Sequence, residues 1–397
     1  MRASRSHHRQ PRILFGVTAA VTARMFLVGQ LGHFAAQGWQ VHLVCGEPGL
    51  EAFAQREGVA AVHHVPMARE PSATDPAALI RTWRLLHRIR PDVVVLGTPK
   101  MGLLGMVAAF LTRVPERIYL VHGFRAQGLA GRRRRLLVAL ERLACGCATR
   151  VVAVSPSLRD ALLAARVVRP AKVVVLGHGS ANGVDVKRFV PAGPDGVLDA
   201  RATFGLPPEA RVVAFVGRLT KDKGIGALVD VWDRVAAAVP DAWLLVAGTE
   251  EPAGPADERA LAGLRALPRV MQVGHVDAIE AVYRASDLLL MLSSREGLPT
   301  VVLEAAACEV PAVAFGVTGV VDAIEDKTTG LCSAKGDVRH VQELVLELLG
   351  VDERRTTMGQ AARRRVVDGF AQETVWQAWS ELVTGAHAQQ SRSRISS

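Results

Sequence analysis

Glu296 and Glu304 stand eight positions apart in "SSREGLPTVVLEAAAC", residues 293–308, with proline and aliphatic residues between them. Two carboxylates at that spacing suit an acid/base pair, a metal site, two separate ligand contacts or a capped and solvated helix. Pro299 fits the first position of a helix, which puts Glu296 in the preceding loop and Glu304 on the second turn. The free amides around Pro299, which has no N–H of its own, namely those of Gly297, Leu298, Thr300 and Val301, then open the helix and suit an anion. "TVVLEAAA" offers Glu304 few polar neighbours, so its carboxylate is expected to need partners such as a ligand's hydroxyls.

A second cluster is "FVGRLTKDKGIGALVDV", residues 215–231. A strand ending at Gly217 and a helix starting near Gly224 leave Arg218 and Lys223 on the connecting loop. Two cations beside helix N-terminal amides suit a diphosphate, although no G-K-[ST] opens the helix as it would in a P-loop. A third is "GVTAAVTARMFLVGQL", where small residues from Gly16 through Thr18 to Ala20 are expected to let a ligand approach the first strand's end. In "YLVHGFR", His122 and Arg125 follow a strand. The chain has no D-x-D, no H-E-x-x-H, no G-x-S-x-G and no G-x-G-x-x-G after its first strand. Metal, hydrolase and dinucleotide readings therefore lack sequence support.

Positioning these residues is the task of alternating elements. The runs "RILFGV", "WQVHLVC", "DVVVLG", "RIYLVH", "RVVAVS" and "KVVVLG" are each followed by a helical pattern. A second series follows: "RVVAFVG", "AWLLVAG", "VMQVGH", "LLLMLS" and "VPAVAF". Continuous apolar strands alternating with helices predict two doubly wound, Rossmann-like α/β domains facing a cleft, with ligands beyond the strands' carboxyl ends. The boundaries expected are a basic tail over 1–12, an N-terminal Rossmann-like domain over 13–190 and a Pro/Gly/Asp-rich linker over 191–210. The C-terminal Rossmann-like domain then covers 211–368, an amphipathic helix 369–385 and a disordered tail 386–397. That helix carries Val375, Trp376, Trp379 and Leu382 near one face, which is expected to pack back on the first domain.

At 397 residues and 49% hydrophobic content the chain can bury two cores. Five cysteines without a C-x-x-C pair read as buried free thiols in a reducing compartment. The N-terminus lacks a secretory cleavage pattern, and the longest uncharged stretch, Met101 to Thr112, is too short to span a bilayer. A cytoplasmic protein, peripheral on the inner membrane face, is expected. The net charge of +10 is partly gathered in "GRRRR", where Arg132, Arg133, Arg134 and Arg135 form a patch suited to an anionic membrane surface. Aromatics make up only 5% and do not interleave with the basic runs, which argues against a nucleic-acid groove.

Taken together, "VGRLTKDKG", "SSREGLPTVVLEAAA", "FGVTGVVDAIEDKTTG" and "GSANGVD" resemble the retaining glycosyltransferases of family 4, which have the GT-B fold. "GTPKMGLLG", "VHGFR" and "VSPSL" are similar to the family's N-terminal domain, and the likeness is strongest to its capsular and exopolysaccharide enzymes. The resemblance implies a nucleotide-sugar donor, UDP-linked first of all, and a saccharide or lipid-linked saccharide acceptor on a polyprenyl diphosphate. It implies retention at the anomeric carbon and no metal or other cofactor. It implies that Arg218 and Lys223, beside Gly217, contact the donor diphosphate, with amides near Pro299 and Thr300. Glu296 matches the contact to the transferred sugar, Glu304 the contact to the ribose hydroxyls and His122 a histidine near the donor sugar. Lys100 and Arg125 are acceptor-side candidates. Two departures stand out: Glu309 in "ACEVP" replaces the usual glycine, predicting a less sharply turned helix end, and no histidine precedes Thr98-Pro99-Lys100. Rival readings are the same chemistry on a soluble small-molecule acceptor, a nucleotide-sugar-binding protein without turnover, and a glycoside hydrolase using the two glutamates as a pair.

Overall fold

The computed structural model describes residues 9–68, 72–252 and 254–395, with side chains as far as Gly385. Residues 1–8 of the expected basic tail lie outside the described residues, while Arg9 donates to the carbonyl of Arg90 and Arg12 already opens the first strand.

Two compact units emerge. The first gathers the chain up to Val154, Leu158–Asn182 and the segment from Val375 onward, and the second gathers Ser155–Ser157 and Gly183–Thr374. The first sheet comprises β1 (Arg12–Val17), β2 (Gln40–Cys45), β3 (Ala61–His64), β4 (Val93–Gly97), β5 (Glu116–Val121), β6 (Arg150–Ala153) and β7 (Val173–Val174). Its order is β3-β2-β1-β4-β5-β6-β7, and every pairing is parallel. The second comprises β8 (Arg211–Val216), β9 (Ala242–Ala247), β10 (Val270–Gly274), β11 (Leu288–Met291), β12 (Ala312–Phe315) and β13 (Gly330–Ser333). Its order is β10-β9-β8-β11-β12-β13, again all parallel. Helices between parallel strands must cover both sheet faces, which is why the central strands are apolar throughout. In each sheet the strand order reverses once, between β1 and β4 and between β8 and β11. Such a reversal parts the loops at the carboxyl edge and leaves room for a ligand.

β3 and β13, which the apolar runs did not predict, are edge strands, and β3 is only half-buried and ends in His63 and His64. The predicted linker over 191–210 is corrected. It holds the helix Pro194–Thr203, and Ala200, Leu206 and Ala210 are buried in the second unit's core with Val184 and Phe189. Apolar residues spaced among prolines and glycines looked like a tether, yet they find burial against Tyr283 and its neighbours. The first unit accordingly ends its main run at Asn182 rather than at residue 190.

The last helix runs Gln372–Ile395 instead of 369–385. Its backbone stays helical where a disordered tail over 386–397 was expected, and residues 396–397 lie outside the described residues. The apolar stripe packs as expected on the first unit. Trp379 is fully buried and donates through Nε1 to the carbonyl of Ala181 at 3.0 Å, and Trp376 Nε1 donates to Asn182 Oδ1 at 2.7 Å. Four of the five cysteines are buried and all five are free thiols. Among the described residues no helix is long and apolar enough to cross a membrane.

The helix Thr300–Ala307 ends more sharply than Glu309 predicted. Val310 N donates to Ala305 O and Glu309 N to Ala306 O, the two bonds of a Schellman turn, with Glu309 itself at φ +63°. Tertiary burial of Val310 and the following strand imposes the left-handed conformation on a residue with a Cβ. Glu309→Gly should therefore stabilise the second unit by about 1 kcal/mol, read as a raised urea midpoint with an unchanged slope.

Candidate active site

The second unit's site grows from the reversal between β8 and β11. Because these strands are hydrogen-bonded neighbours, the loops leaving their carboxyl ends emerge side by side. Gly224, at φ +86°, begins the helix Ile225–Ala238, and a Cβ there would lie 2.2 Å from the carbonyl oxygen of Leu292. Only glycine lets the first loop close against the second. That closure delivers Lys223 Nζ to Glu296 Oε1 at 2.6 Å, with the two side chains 25% and 13% exposed. The phosphate-side cation and the sugar-side carboxylate of the sequence reading are thus one ion pair.

Arg218 takes a more open place. Its Nη1 donates to Glu251 Oε2 at 3.1 Å, and its guanidinium lies 3.9 Å from Asp222 Oδ2. The β9 exit brings Glu251 there, since Leu219 N donates to Thr249 O and the glycines Gly217 and Gly248 are packed backbone to backbone. Asp222 is a residue the sequence reading missed. Burial pushes its carboxyl up, but the Thr220 hydroxyl at 2.6 Å and the charges of Arg218, Arg295 and Lys223 outweigh it and hold the group below the usual carboxylate range. Arg295, also missed, lies 4.0 Å from Asp222. The signal available was the alternation "RLTKDK" and the basic residue just before Glu296.

Pro299 is the N-cap and not the first helical residue, so the helix starts at Thr300. Glu304 remains on its second turn. The first N–H groups, those of Thr300 and Val301, have no carbonyl four residues back within the helix. Gly297 is buried behind them, its carbonyl accepting from the Ser155 hydroxyl at 2.7 Å, and Leu298 is half-buried. The expectation that Glu304 lacks polar protein neighbours is corrected. The fully buried Tyr283 donates its hydroxyl to Glu304 Oε2 at 2.8 Å. A tyrosine twenty-one residues upstream, on the short helix Ile279–Arg284, is not a local neighbour in any sequence window.

In the first unit the reversal between β1 and β4 has a different content. Gly16 lies inside β1, and a Cβ there would meet Leu96 at 2.5 Å and Val44 at 3.0 Å, so its smallness serves packing. Thr18 is buried and bonds Thr98 hydroxyl to hydroxyl at 2.8 Å. Lys100 is buried and its Nζ donates to Asp75 Oδ1 at 2.7 Å, so its charge is already spent on the protein. His122 does sit at a strand's carboxyl end. Its ring packs 5.1 Å from Phe26, and its Nε2 lies so close to Gly97 that a Cβ there would be 2.8 Å away. Burial lowers its pKa to about 4, so it is a neutral imidazole at physiological pH. Arg125 is half-buried, and its charge bears on Glu141, which accepts from Tyr119 Oη at 2.7 Å.

Two parallel-sheet, Rossmann-like units of this kind define the GT-B class of glycosyltransferase folds. Residues 198–365 match the family model of group 1 glycosyl transferases, and residues 24–179 match that of glycosyl transferase 4-like domains. The chain is 31% identical over 350 residues to the capsular polysaccharide biosynthesis glycosyltransferase CapM of Staphylococcus aureus, covering 88% of this chain and 90% of that one. It is 25% identical over 336 residues to an Escherichia coli UDP-Gal:alpha-D-GlcNAc-diphosphoundecaprenol alpha-1,3-galactosyltransferase, covering 84% of this chain and 85% of the other. In fold it is similar to Anabaena HepE, solved in complex with UDP and glucose, with a TM-score of 0.79 at 19% identity over 94% of this chain and 100% of HepE. The chain belongs to the group 1 glycosyltransferase family and is a glycosyltransferase.

The ion pair can be checked apart from activity. Lys223→Met strands a mostly buried carboxylate, so it should destabilise the second unit by about 1–2 kcal/mol more than is found when Glu296→Gln accompanies it. Urea denaturation of the two single variants and the double variant measures that coupling.

Proposed function

We propose that this chain moves a sugar from a UDP-linked donor to a polyprenyl-diphosphate-linked saccharide in surface polysaccharide assembly, with retention of anomeric configuration and without a metal ion. The observation that carries it is the Lys223–Glu296 pair, 2.6 Å apart beside the start of the helix Thr300–Ala307. It joins a cation suited to a leaving phosphate to a carboxylate suited to a sugar. The acceptor class is supported by the relatives whose names describe capsular polysaccharide and diphosphoundecaprenol-linked chemistry, and the donor by that galactosyltransferase and by HepE.

In this reading the bond from the anomeric carbon to the diphosphate oxygen breaks, and its electron pair leaves with that oxygen. Arg218, Lys223 and the amides at Thr300 and Val301 stabilise the growing negative charge, the part a divalent ion plays in other enzymes. Arg218 must exchange Glu251 for the diphosphate, and Lys223 must share its three N–H donors between Glu296 and a phosphate oxygen. Positive charge grows on the sugar ring, where Glu296 stabilises it. The acceptor hydroxyl forms the new bond on the same face, and its proton passes to the departing phosphate oxygen. Glu304 accepts from the donor's ribose.

Membrane recruitment fits one helical layer of the first unit. Arg132 to Arg135 are all exposed in the first turn of the helix Gly131–Cys147, followed by Leu136 at 59% exposure. On the helix Asp75–Ile89, Arg81, Arg84 and Arg88 are exposed beside Trp83, which stacks on His87 with ring centroids 5.8 Å apart. Basic side chains with exposed aromatic and aliphatic groups suit anionic headgroups.

The reaction is tested with purified protein, a panel of nucleotide sugars and a polyprenyl-diphosphate-linked saccharide, with the product's anomeric configuration read by NMR. Turnover from a UDP-sugar with retention, unaffected by EDTA, is expected, and Glu296→Gln should lower kcat at least about a hundredfold. An inverted product, loss of turnover with EDTA, or full activity in Glu296→Gln would falsify the corresponding part of the reading. Replacing Arg132 to Arg135 with glutamine should weaken binding to phosphatidylglycerol vesicles at least about tenfold. Thermal stability should hold or rise, because four cations at a helix N-terminus oppose its dipole. Unchanged vesicle binding removes this patch from the proposal.

A further inference from the structure

Of the chain's two tyrosines, both are buried and each donates to a glutamate: Tyr119 to Glu141 and Tyr283 to Glu304. The second pair lies on a residue the proposed function uses. Tyr283 is wholly buried, its ring against Phe189 with centroids 6.0 Å apart. The Arg188 guanidinium covers the other ring of that contact, 5.1 Å from the Phe189 centroid, and is itself held by Glu280 Oε2 at 2.6 and 2.9 Å and by the carbonyl of Asp277 at 2.9 Å. The phenol is therefore held by its ring contact with Phe189 and by its bond to Glu304, and Phe189 is in turn backed by Arg188.

Its hydroxyl points at one carboxylate oxygen only. Glu304 Oε2 accepts it at 2.8 Å, and Oε1 accepts from no other group among the described residues. Burial, with Glu304 adding to it, raises the Tyr283 hydroxyl well above its ordinary range, so the phenol stays a donor at any working pH. Burial likewise pushes Glu304 upward, opposed by the Tyr283 hydrogen bond and the Arg188 charge and aided by the Glu280 charge. The charged and titratable groups bearing on Glu304 are thus Tyr283, Arg188 and Glu280, with the buried Cys308 thiol, itself raised by burial, at the end of the same helix. A carboxylate so placed can rotate about its last torsion and can take up a proton, and the phenol opposes both.

We infer that Tyr283 is a positioning residue for donor binding: it holds Oε2 of Glu304 so that Oε1 is presented, ionised and in one orientation, to the ribose hydroxyls of the nucleotide. This rests on the reading of Glu304 as the ribose contact. The strand β11 and the helix Thr300–Ala307 place the carboxylate, and the preceding helix Ile279–Arg284 decides which of its oxygens is open. A merely structural tyrosine would affect stability without affecting how the site distinguishes a hydroxyl from its absence.

The test is calorimetric binding of UDP, 2′-deoxy-UDP and 3′-deoxy-UDP to the full chain between pH 6 and 9. The wild type should bind UDP about tenfold more tightly than the deoxynucleotide lacking the contacted hydroxyl, as expected for a hydrogen bond to a charged group. Glu304→Gln should remove most of that preference. Tyr283→Phe should reduce it several-fold, and the pH below which UDP binding weakens should move upward, because the group lowering the carboxylate's pKa is gone. Adding Glu304→Gln to Tyr283→Phe should cost little more. A second probe keeps the ring and the donor: 3-fluorotyrosine at position 283 is a stronger acid and should move the same limb downward. If Glu304→Gln loses the ribose preference while Tyr283→Phe and the fluorinated protein keep the wild-type preference and pH course, the positioning role is overturned and the ribose role stands. If Glu304→Gln keeps the preference, the ribose role fails, and this inference fails with it.

Discussion

The contact between Lys223 and Glu296 depends on a single topological fact, that β8 and β11 are neighbours although their loops are seventy-three residues apart in the chain. Strand order reverses there, so two loops that would otherwise be separated by a strand leave the sheet side by side. Everything else in the second unit's site adjusts to that adjacency. Gly224 lets the loops touch, the β9 exit carries Glu251 to Arg218, and the helix after β11 aims its first amides from the same edge.

The first unit has the same kind of reversal with a different use. Between β1 and β4 the neighbouring loops meet through Thr18 and Thr98, neutral hydroxyls that close on each other. The charged pair there, Lys100 with Asp75, is withdrawn from the surface. His122 remains beside that edge as an uncharged ring. Equivalent topology thus yields a charged site in one unit and a neutral, apolar one in the other, because the side chains at the strand exits differ while the backbone plan does not.

Burial of carboxylates runs through both units. Glu141 and Glu304 are each pushed upward by burial and each answered by a tyrosine hydroxyl. A buried acceptor without a donor costs more than a buried pair, so each of these two glutamates is answered by its phenol, as the buried Glu116 is by Arg150. The same rule accounts for an error of reasoning from local windows. Glu304 among valines and alanines looked short of partners, and its partner lay on the preceding helix.

Much of this protein was legible before folding. The central strands of both sheets read off as continuous apolar runs, since burial on both faces forbids alternation, and the residues of "GRLTKDKG" and "SSREGLPTVVLEAAA" stood at strand exits by that count alone. The edge strand β3 escaped notice because it is only partly buried and so carries a weaker pattern, and β13 because its four residues, though mostly buried, include only one large apolar side chain. The helix Pro194–Thr203 escaped because glycines and prolines around it signalled a tether. Which side chains pair is another matter. Periodicity reports the environment of a residue along its own element, whereas Lys100 with Asp75, Thr18 with Thr98 and Tyr283 with Glu304 are joined across elements. Sequence alone determined the two parallel sheets and the stretches at their carboxyl edges. Only the tertiary structure decided which of those residues stay open and which spend their charge or hydroxyl on the protein, because that choice depends on distances between segments far apart in the chain.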